Sequence, residues 1–148
     1  MNVEQAIKTN TEIPIKNRTI IHLSLVQNKV NEQVALTLKP FEISVQQFNV
    51  LRILRGQKGK PANLCTINER MVTKMSNTTW LVDKLIAKQY VNRSVCKHNR
   101  RKVVISITDV GFAFLNEIDG MLFEKEEEIL REFSNAELVQ LNKLLDKF

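Results

Sequence analysis

The side chains best suited to binding chemistry are concentrated in two clusters near the middle of the sequence. The first cluster comprises Lys74, Ser76, Asn77, Thr79, Trp80 and Lys84, and the second comprises Asn99, Arg100 and Arg101. Hydroxyl, amide, ammonium and guanidinium groups donate the hydrogen bonds with which proteins bind phosphate oxygens, and those from cations are the stronger ones. The two clusters therefore indicate a site for a polyanion.

The charge of the chain is distributed in the same way. The 148 residues carry a net charge of +6, but residues 44–108 contain 13 lysine and arginine residues against only Glu69 and Asp83. This central segment therefore carries +11, whereas the flanking segments contain 9 basic and 14 acidic residues, a net charge of −5. A scattered excess would indicate only a solvated surface. A concentrated one favours binding to a polyanion, because each neutralised phosphate releases condensed counterions.

The thiols and imidazoles give no indication of catalysis or metal binding. Cys65 and Cys96 form no CxxC pair and have no histidine cluster nearby at ligand spacing. Cys96 and His98 lack a third group that would orient them as a nucleophile and its base. We therefore expect no catalytic residue, no metal and no cofactor.

Three of these side chains keep alternative interpretations. Cys65 is expected to be a small buried side chain. Cations surround Cys96 in the sequence and favour its thiolate, which leaves open a thiol-based redox response. His22, on the first long helix, is either a structural histidine or a contact to a small ligand.

Length and composition indicate one soluble globular domain, since 43% of the residues are hydrophobic and 26% are charged. No run approaches the roughly 18 apolar residues of a membrane-spanning helix. The first twelve residues also lack the apolar stretch of a signal peptide. We expect a cytoplasmic protein without a membrane partner.

Hydrophobic periodicity predicts helices joined by one β-hairpin. Helices are expected over residues 15–38, 45–54, 65–72 and 76–88 and twice within 108–148, and strands over residues 91–95 and 102–107. Pro40 ends the first helix, and Ser44 with Gln47 and Ser134 with Glu137 form capping-box patterns. Residues 96–101 are predicted to form the turn of the hairpin.

This order of elements predicts a mainly α fold with a small β-wing, a winged helix-turn-helix in which residues 44–108 form the DNA-binding lobe. A short helix supports a second one, which projects polar side chains into a major groove about 12 Å wide. The basic hairpin, or wing, reaches a neighbouring backbone or minor groove. The expected partner is double-stranded DNA.

The flanking segments, residues 1–43 and 109–148, are predicted to be dimerisation helices. Their apolar stripes are too long for a small central lobe to cover, so they are expected to pack against a second copy across a two-fold axis. The two recognition helices of such a homodimer would meet half-sites about 34 Å apart on a roughly palindromic operator.

The motifs in this order resemble the MarR family of bacterial transcriptional regulators, and the resemblance spans most of the chain. The signature of the family's second helix is similar to residues 43–51, ISVQQFNVL, and its recognition helix is similar to residues 76–85, SNTTWLVDKL. The family's wing motif, Asp-Arg-Arg leading into Leu-Thr-x-x-Gly, is similar to Asn99-Arg100-Arg101 followed by Ile107-Thr108 and Gly111.

Three positions depart from the family's pattern. Asn99 stands where Asp is usual, so a salt bridge that orients the wing arginine becomes a neutral hydrogen bond. Trp80 stands where Arg is common, which exchanges a phosphate or base contact for a large apolar surface. Gln89 replaces the glycine that ends the recognition helix, at a cost of about 1 kcal/mol in a left-handed conformation.

For the DNA contacts, we expect Arg100 and Arg101 at the backbone or minor groove, with Arg101 favoured for the minor groove. Asn77 and Thr79 are expected in the major groove, and Lys74 and Lys84 at phosphates. Ser76 caps the helix, contacts a phosphate, or does both. Trp80 packs on the supporting helix, touches thymine methyl groups or fills an intersubunit gap.

The resemblance implies a transcriptional regulator, a repressor in most cases, that small and often aromatic ligands release from DNA. Such a ligand would enter between the dimerisation helices and the DNA-binding lobes. Two other classes stay open: a winged helix that binds protein partners instead of DNA, and an enzyme using Cys96.

Overall fold

The computed structural model describes residues 2–74, 77–96 and 99–148, and the side chains of all of these except residues 96 and 99–102. Its elements are α1 (Val3–Ala6), α2 (Ile15–Leu38), a 3₁₀ turn (Lys39–Phe41), α3 (Val45–Gly56), α4 (Leu64–Arg70), α5 (Thr78–Ala87), β1 (Val91–Cys96), β2 (Asn99–Ile107), α6 (Asp109–Leu130) and α7 (Asn135–Leu145). The predicted mainly helical fold with a two-stranded wing is confirmed.

Both predicted capping boxes are present. Ser44 Oγ accepts a hydrogen bond from Gln47 N at 3.2 Å, and Gln47 Oε1 accepts one from Ser44 N at 2.9 Å. Ser134 and Glu137 form the same reciprocal pair at the start of α7, and this hydrogen bonding lowers the pKa of the Glu137 carboxyl. Each pair satisfies backbone donors that have no partner within the helix, which fixes where α3 and α7 begin.

The short helix α1 was not predicted, and it is held by contacts with α2. Val3 is fully buried, and Arg18 Nε on α2 donates to Glu4 Oε1 at 2.7 Å. The Arg18 guanidinium lowers the pKa of the Glu4 carboxyl. A four-residue helix has too few internal hydrogen bonds to be stable alone, so α2 must support it.

The hairpin differs from its prediction. Cys96 and Asn99 are register partners, so the strands are longer than predicted. The prediction of a six-residue turn over residues 96–101 is therefore wrong. Asn99, Arg100 and Arg101 belong to β2, and residues 97 and 98 lie outside the described residues. The alternation of β-branched residues that predicted the strands stops at Val95 and Val103. The two backbones still pair beyond these residues, where no alternating apolar side chains indicate a strand.

The wing is anchored at its base by a third backbone segment. Ala62 N donates to Ile105 O at 2.8 Å, and Ile105 N donates to Ala62 O at 2.7 Å. Ala62 and Ile105 are both buried. The loop before α4 therefore pairs with β2 and holds the wing against the helices.

The core lies where α3, α5 and α6 meet. The largest fully buried side chains there include Leu51, Leu54, Leu81, Leu85, Leu115 and Ile118. The Phe114 ring of α6 stacks on the Tyr90 ring at 4.6 Å between centroids and meets the Phe41 ring edge-on at 5.5 Å. Aromatic pairs in these geometries stabilise a fold by more than the burial of their apolar area alone.

A junction of three hydrogen bonds joins the end of α5, the base of the wing and the start of α6. Thr108 Oγ1 donates to Gln89 O at 2.7 Å and accepts from Gly111 N at 3.0 Å, while Thr108 N donates to Tyr90 O at 3.0 Å. Gln89 has φ 61°, the left-handed conformation expected at this helix end. We call these contacts the Thr108 junction.

The outer helices leave much apolar surface uncovered in the single chain. Helix α7 buries none of its residues, and only Leu38 is buried on α2. Large exposed apolar side chains on these helices and on α6 include Ile15, Ile20, Val26, Leu36, Phe123, Val139, Leu141, Leu144 and Leu145. This is the distribution expected of helices that pack against another molecule.

The close approach at Gly111 gives a test of the Thr108 junction. A Cβ atom on Gly111 would lie 2.2 Å from Tyr90 O, so the backbone must shift in Gly111→Ala. We expect the free energy of unfolding, measured by urea titration at fixed protein concentration, to fall by about 1–3 kcal/mol or more.

The matched control is Gly120→Ala on the same helix, where a Cβ would meet nothing within 4 Å. This variant should be unchanged or more stable by about 0.5–1 kcal/mol, because alanine loses less backbone entropy in a helix. Equal losses in the two variants would contradict the role given to the Thr108 junction.

Candidate nucleic-acid interface

Helix α5 divides cleanly into a buried face and an exposed face. Thr78, Leu81, Val82 and Leu85 are buried, and their spacing of three and four residues places them on one side. Thr79, Trp80, Asp83 and Lys84 are exposed. The apolar face holds the helix in the core, and the other side presents hydroxyl, indole, carboxylate and ammonium groups outward.

The start of α5 is fixed by two side chains. Asn77 Oδ1 accepts a hydrogen bond from Trp80 N at 3.1 Å, so Asn77 is the N-cap. The predicted N-cap, Ser76, is therefore one residue too early in the sequence. Ser76 itself lies outside the described residues. Thr78 Oγ1 donates to Asn68 Oδ1 at 3.2 Å, which joins α5 to the supporting helix α4. The first turn of α5 is therefore positioned from both sides.

The predicted cations flank this turn. Lys74 is exposed just before α5, and Lys84 is exposed on its outward face. Lys84 Nζ lies 5.6 Å from the centroid of the Trp80 ring, and Trp80 is 51% exposed. Of the three roles considered for Trp80, packing in the core against α4 is wrong because the indole is on the side away from the core.

An ion pair that the sequence analysis missed links α5 to the wing. Arg93 Nη2 on β1 donates to Asp83 Oδ1 at 2.6 Å. Without Arg93, the Asp83 carboxylate would repel phosphates from the outward face of α5. The two residues are ten apart, so no local spacing rule indicates the contact, although Asp83 is one of only two acidic residues among the central 65.

The wing connects the second cluster to the helix that carries most of the first. Asn99, Arg100 and Arg101 begin β2, and the Arg93–Asp83 pair ties its partner β1 to α5. The strands are antiparallel with Arg93 opposite Ile105. Both clusters predicted from the sequence therefore belong to one structural unit of α5 and the wing.

Cys65 is exposed, which corrects the expectation that it is buried. It lies on the outer side of α4, and its Sγ donates to Glu69 Oε1 at 3.3 Å. The hydrogen bond and the charge of Glu69 raise the pKa of the Cys65 thiol. Apolar periodicity is weak in a helix of seven residues, so burial could not be read from spacing. Cys96 lies at the end of β1.

A cavity of about 650 Å³ lies between α2, α3 and the segment that follows α4, with α6 at one end. Its lining includes Gln27, Asn31, Glu32, Phe48, Asn49, Arg52, Met71, Val72, Thr73 and Glu126. The Arg52 guanidinium lies 5.6 Å from the centroid of the Phe48 ring. His22, the predicted ligand contact, is partly buried earlier on α2 and is not one of the lining residues.

Two kinds of feature are absent from the described part of the chain. Among those residues, no three His, Cys, Asp or Glu side chains are grouped as metal ligands. No helix there is both long and apolar enough to cross a membrane.

Comparisons with known proteins agree with this geometry. The model of the MarR family matches residues 43–103, from the start of α3 into β2. The HTH-type transcriptional regulator PecS of Dickeya dadantii is 29% identical over 132 residues, covering 87% of this chain and 76% of PecS.

Two solved structures share the fold. BpsR of Bordetella bronchiseptica, described with regulation of its DNA binding by 6-hydroxynicotinic acid, superposes with a TM-score of 0.79 at 20% identity and covers 93% of this chain and 96% of its own. A Cys→Ser variant of MarR from E. coli, complexed with operator DNA, gives 0.74 at 21% identity and covers 84% and 89%.

The environment of Cys65 predicts its reactivity. In a Cys96→Ser background, Glu69→Gln should raise the rate of alkylation by iodoacetamide at a fixed pH of about 8, because loss of the carboxylate lowers the pKa and increases the thiolate fraction. Glu117→Gln on α6 is the control and should leave the rate unchanged. A rate that Glu69→Gln leaves unaltered would contradict the thiol–carboxylate contact.

Proposed function

The chain belongs to the MarR family, and on that premise we propose that it regulates transcription by binding double-stranded DNA with α5 and the wing. The observation that supports this most is the division of α5 into a buried apolar face and an outward face that carries Thr79, Trp80 and Lys84. A helix held on one side only is free to enter a major groove with the other.

The position of each side chain suggests its partner on the duplex. Recognition helices contact base edges with their N-terminal residues, and in α5 these are Asn77, Thr79 and Trp80. Lys74, Ser76 and Lys84 are assigned to phosphates, which fix register without reading sequence. Asn99, Arg100 and Arg101 on β2 are assigned to the neighbouring backbone or minor groove, with Arg101 in the groove.

The acting species is proposed to be a homodimer formed by α2, α6 and α7. The support is the uncovered apolar surface on these helices, above all on α7, which buries none of its residues in the single chain. A two-fold axis through this surface would present two copies of α5 to half-sites about 34 Å apart on one side of the duplex.

We also propose that the protein is a repressor released by a small aromatic ligand in the cavity between α2 and α3. The cavity borders Val72 and Thr73, which lead into α5, so its occupant would contact both the dimerisation helix and the segment before the recognition helix. The regulation of BpsR by 6-hydroxynicotinic acid is a precedent for a ligand of this class. The dimer would have one arrangement that fits DNA and one that does not. A ligand that binds the second arrangement more tightly by about 1–3 kcal/mol is enough to lower DNA affinity 5- to 150-fold.

Filling the cavity tests the ligand proposal. Small aromatic acids, beginning with 6-hydroxynicotinic acid, should weaken duplex binding by the native chain but not by Ala35→Trp, whose indole would occupy the cavity. An acid that releases both proteins equally would show that the cavity is not the site.

The DNA-binding proposal is tested by selecting bound fragments from random duplex DNA and titrating the best one in a mobility-shift assay. With six to ten phosphate contacts, affinity should fall by roughly 10³- to 10⁵-fold between about 50 and 200 mM salt. Arg101→Ala should weaken binding markedly, whereas Lys16→Ala, which removes a cation from α2, should have little effect.

Two outcomes would contradict this function. A winged helix that binds proteins instead would show no salt-dependent duplex binding in the same titration. Undiminished affinity of Arg101→Ala would show that the wing does not contact DNA, even if α5 does.

A further inference from the structure

Trp80 is the one large apolar side chain on the outward face of α5. Its neighbours on that face, Thr79, Asp83 and Lys84, are polar or charged. Trp80 lies across the helix from the buried residues Leu81, Val82 and Leu85, so its indole adds nothing to the core. Because 51% of Trp80 is exposed, its ring is accessible to a partner outside the lobe.

The indole is also held in place. The Trp80 backbone N–H is bound by the N-cap Asn77, which fixes the first turn from which the side chain projects. Lys84, one turn later, lies 5.6 Å from the ring centroid, a distance at which the ammonium is attracted to the ring. The ring is therefore directed outward with a cation beside it that can reach a phosphate.

We propose that Trp80 determines part of the DNA sequence preference by packing on the C5-methyl group of thymine in the major groove. This inference rests on the proposed function. Base edges in that groove present donors and acceptors, and the thymine methyl is the one apolar group among them. Indole has a single N–H donor and no acceptor, so against other edges it would leave polar groups unpaired.

The surroundings favour DNA over a protein partner at this ring. Lys84 lies beside it, Lys74 is exposed shortly before α5, and the lobe carries +11. The single carboxylate on the outward face of α5, that of Asp83, is already paired with Arg93. An approaching polyanion therefore meets cations near the apolar Trp80 ring. This arrangement suits a thymine methyl group that lies between phosphates.

Uracil in place of thymine removes only the methyl group and gives the direct test. Each thymine of the selected half-site is replaced in turn by uracil, and affinity is measured for the native chain and for Trp80→Ala. At one position, uracil should lower the DNA affinity of the native chain about 4-fold when one half-site carries it and about 15-fold when both do. Trp80→Ala should bind the thymine and uracil duplexes equally.

Two further variants keep the result interpretable. Trp80→Leu retains an apolar group and should keep part of the uracil effect. Thr79→Ala, on the preceding residue of the same turn, should keep all of it. Equal losses from uracil in the native chain and in Trp80→Ala, or no loss at any position, would overturn the inference while leaving duplex binding intact. Absence of any duplex binding at low salt would overturn the proposed function and this inference together.

Fluorescence supplies a second readout, because the chain contains one tryptophan. Quenching by acrylamide should decrease when the selected duplex is added and should not depend on protein concentration without DNA. Quenching that the duplex leaves unchanged would overturn the contact. Protection that grows with protein concentration alone would instead place Trp80 between subunits.

Discussion

The hydrogen bonds of Thr108 join the three parts of the lobe on which the rest of the molecule depends. A single residue binds the carbonyl groups of Gln89 and Tyr90, after the recognition helix, and caps α6 through Gly111. The geometry leaves no room for a Cβ at Gly111. The angle between α5, the wing and α6 is therefore set by hydrogen bonds from Thr108 to backbone groups and by the close approach of Gly111 to Tyr90 O.

Around this junction, further contacts connect the central lobe to α6 and to the 3₁₀ turn that follows α2. Lys88 Nζ donates to Phe41 O at 3.2 Å, and Arg55 of α3 forms an ion pair with Asp119 of α6. The Phe114 ring bridges Tyr90 and Phe41. In the proposed dimer, these contacts connect α6 to the end of α5. The proposed ligand between α2 and α3 would act on DNA binding through a connection of this kind.

The sequence predicted the features that depend on residues close together. The capping boxes at Ser44 and Ser134 and the left-handed Gln89 were correct because each involves a few consecutive residues. Helix periodicity also placed Thr79, Trp80 and Lys84 on α5.

The errors concern contacts between distant segments, or elements too short to show a period. Burial of Cys65, the start of α5 and the length of the hairpin belong to this group. The same holds for α1, the pairing of Ala62 with Ile105 and the Arg93–Asp83 ion pair, none of which was predicted. Each depends on which parts of the chain meet in space, and propensity does not determine that.

The proposed function requires that two copies of α5, related by a two-fold axis, bind one side of a duplex. A hydroxyl-radical footprint on a selected duplex tests it most directly. We expect two symmetric sets of protected sugars centred about 10 base pairs apart. A single protected region, under conditions where the duplex is fully bound, would contradict it.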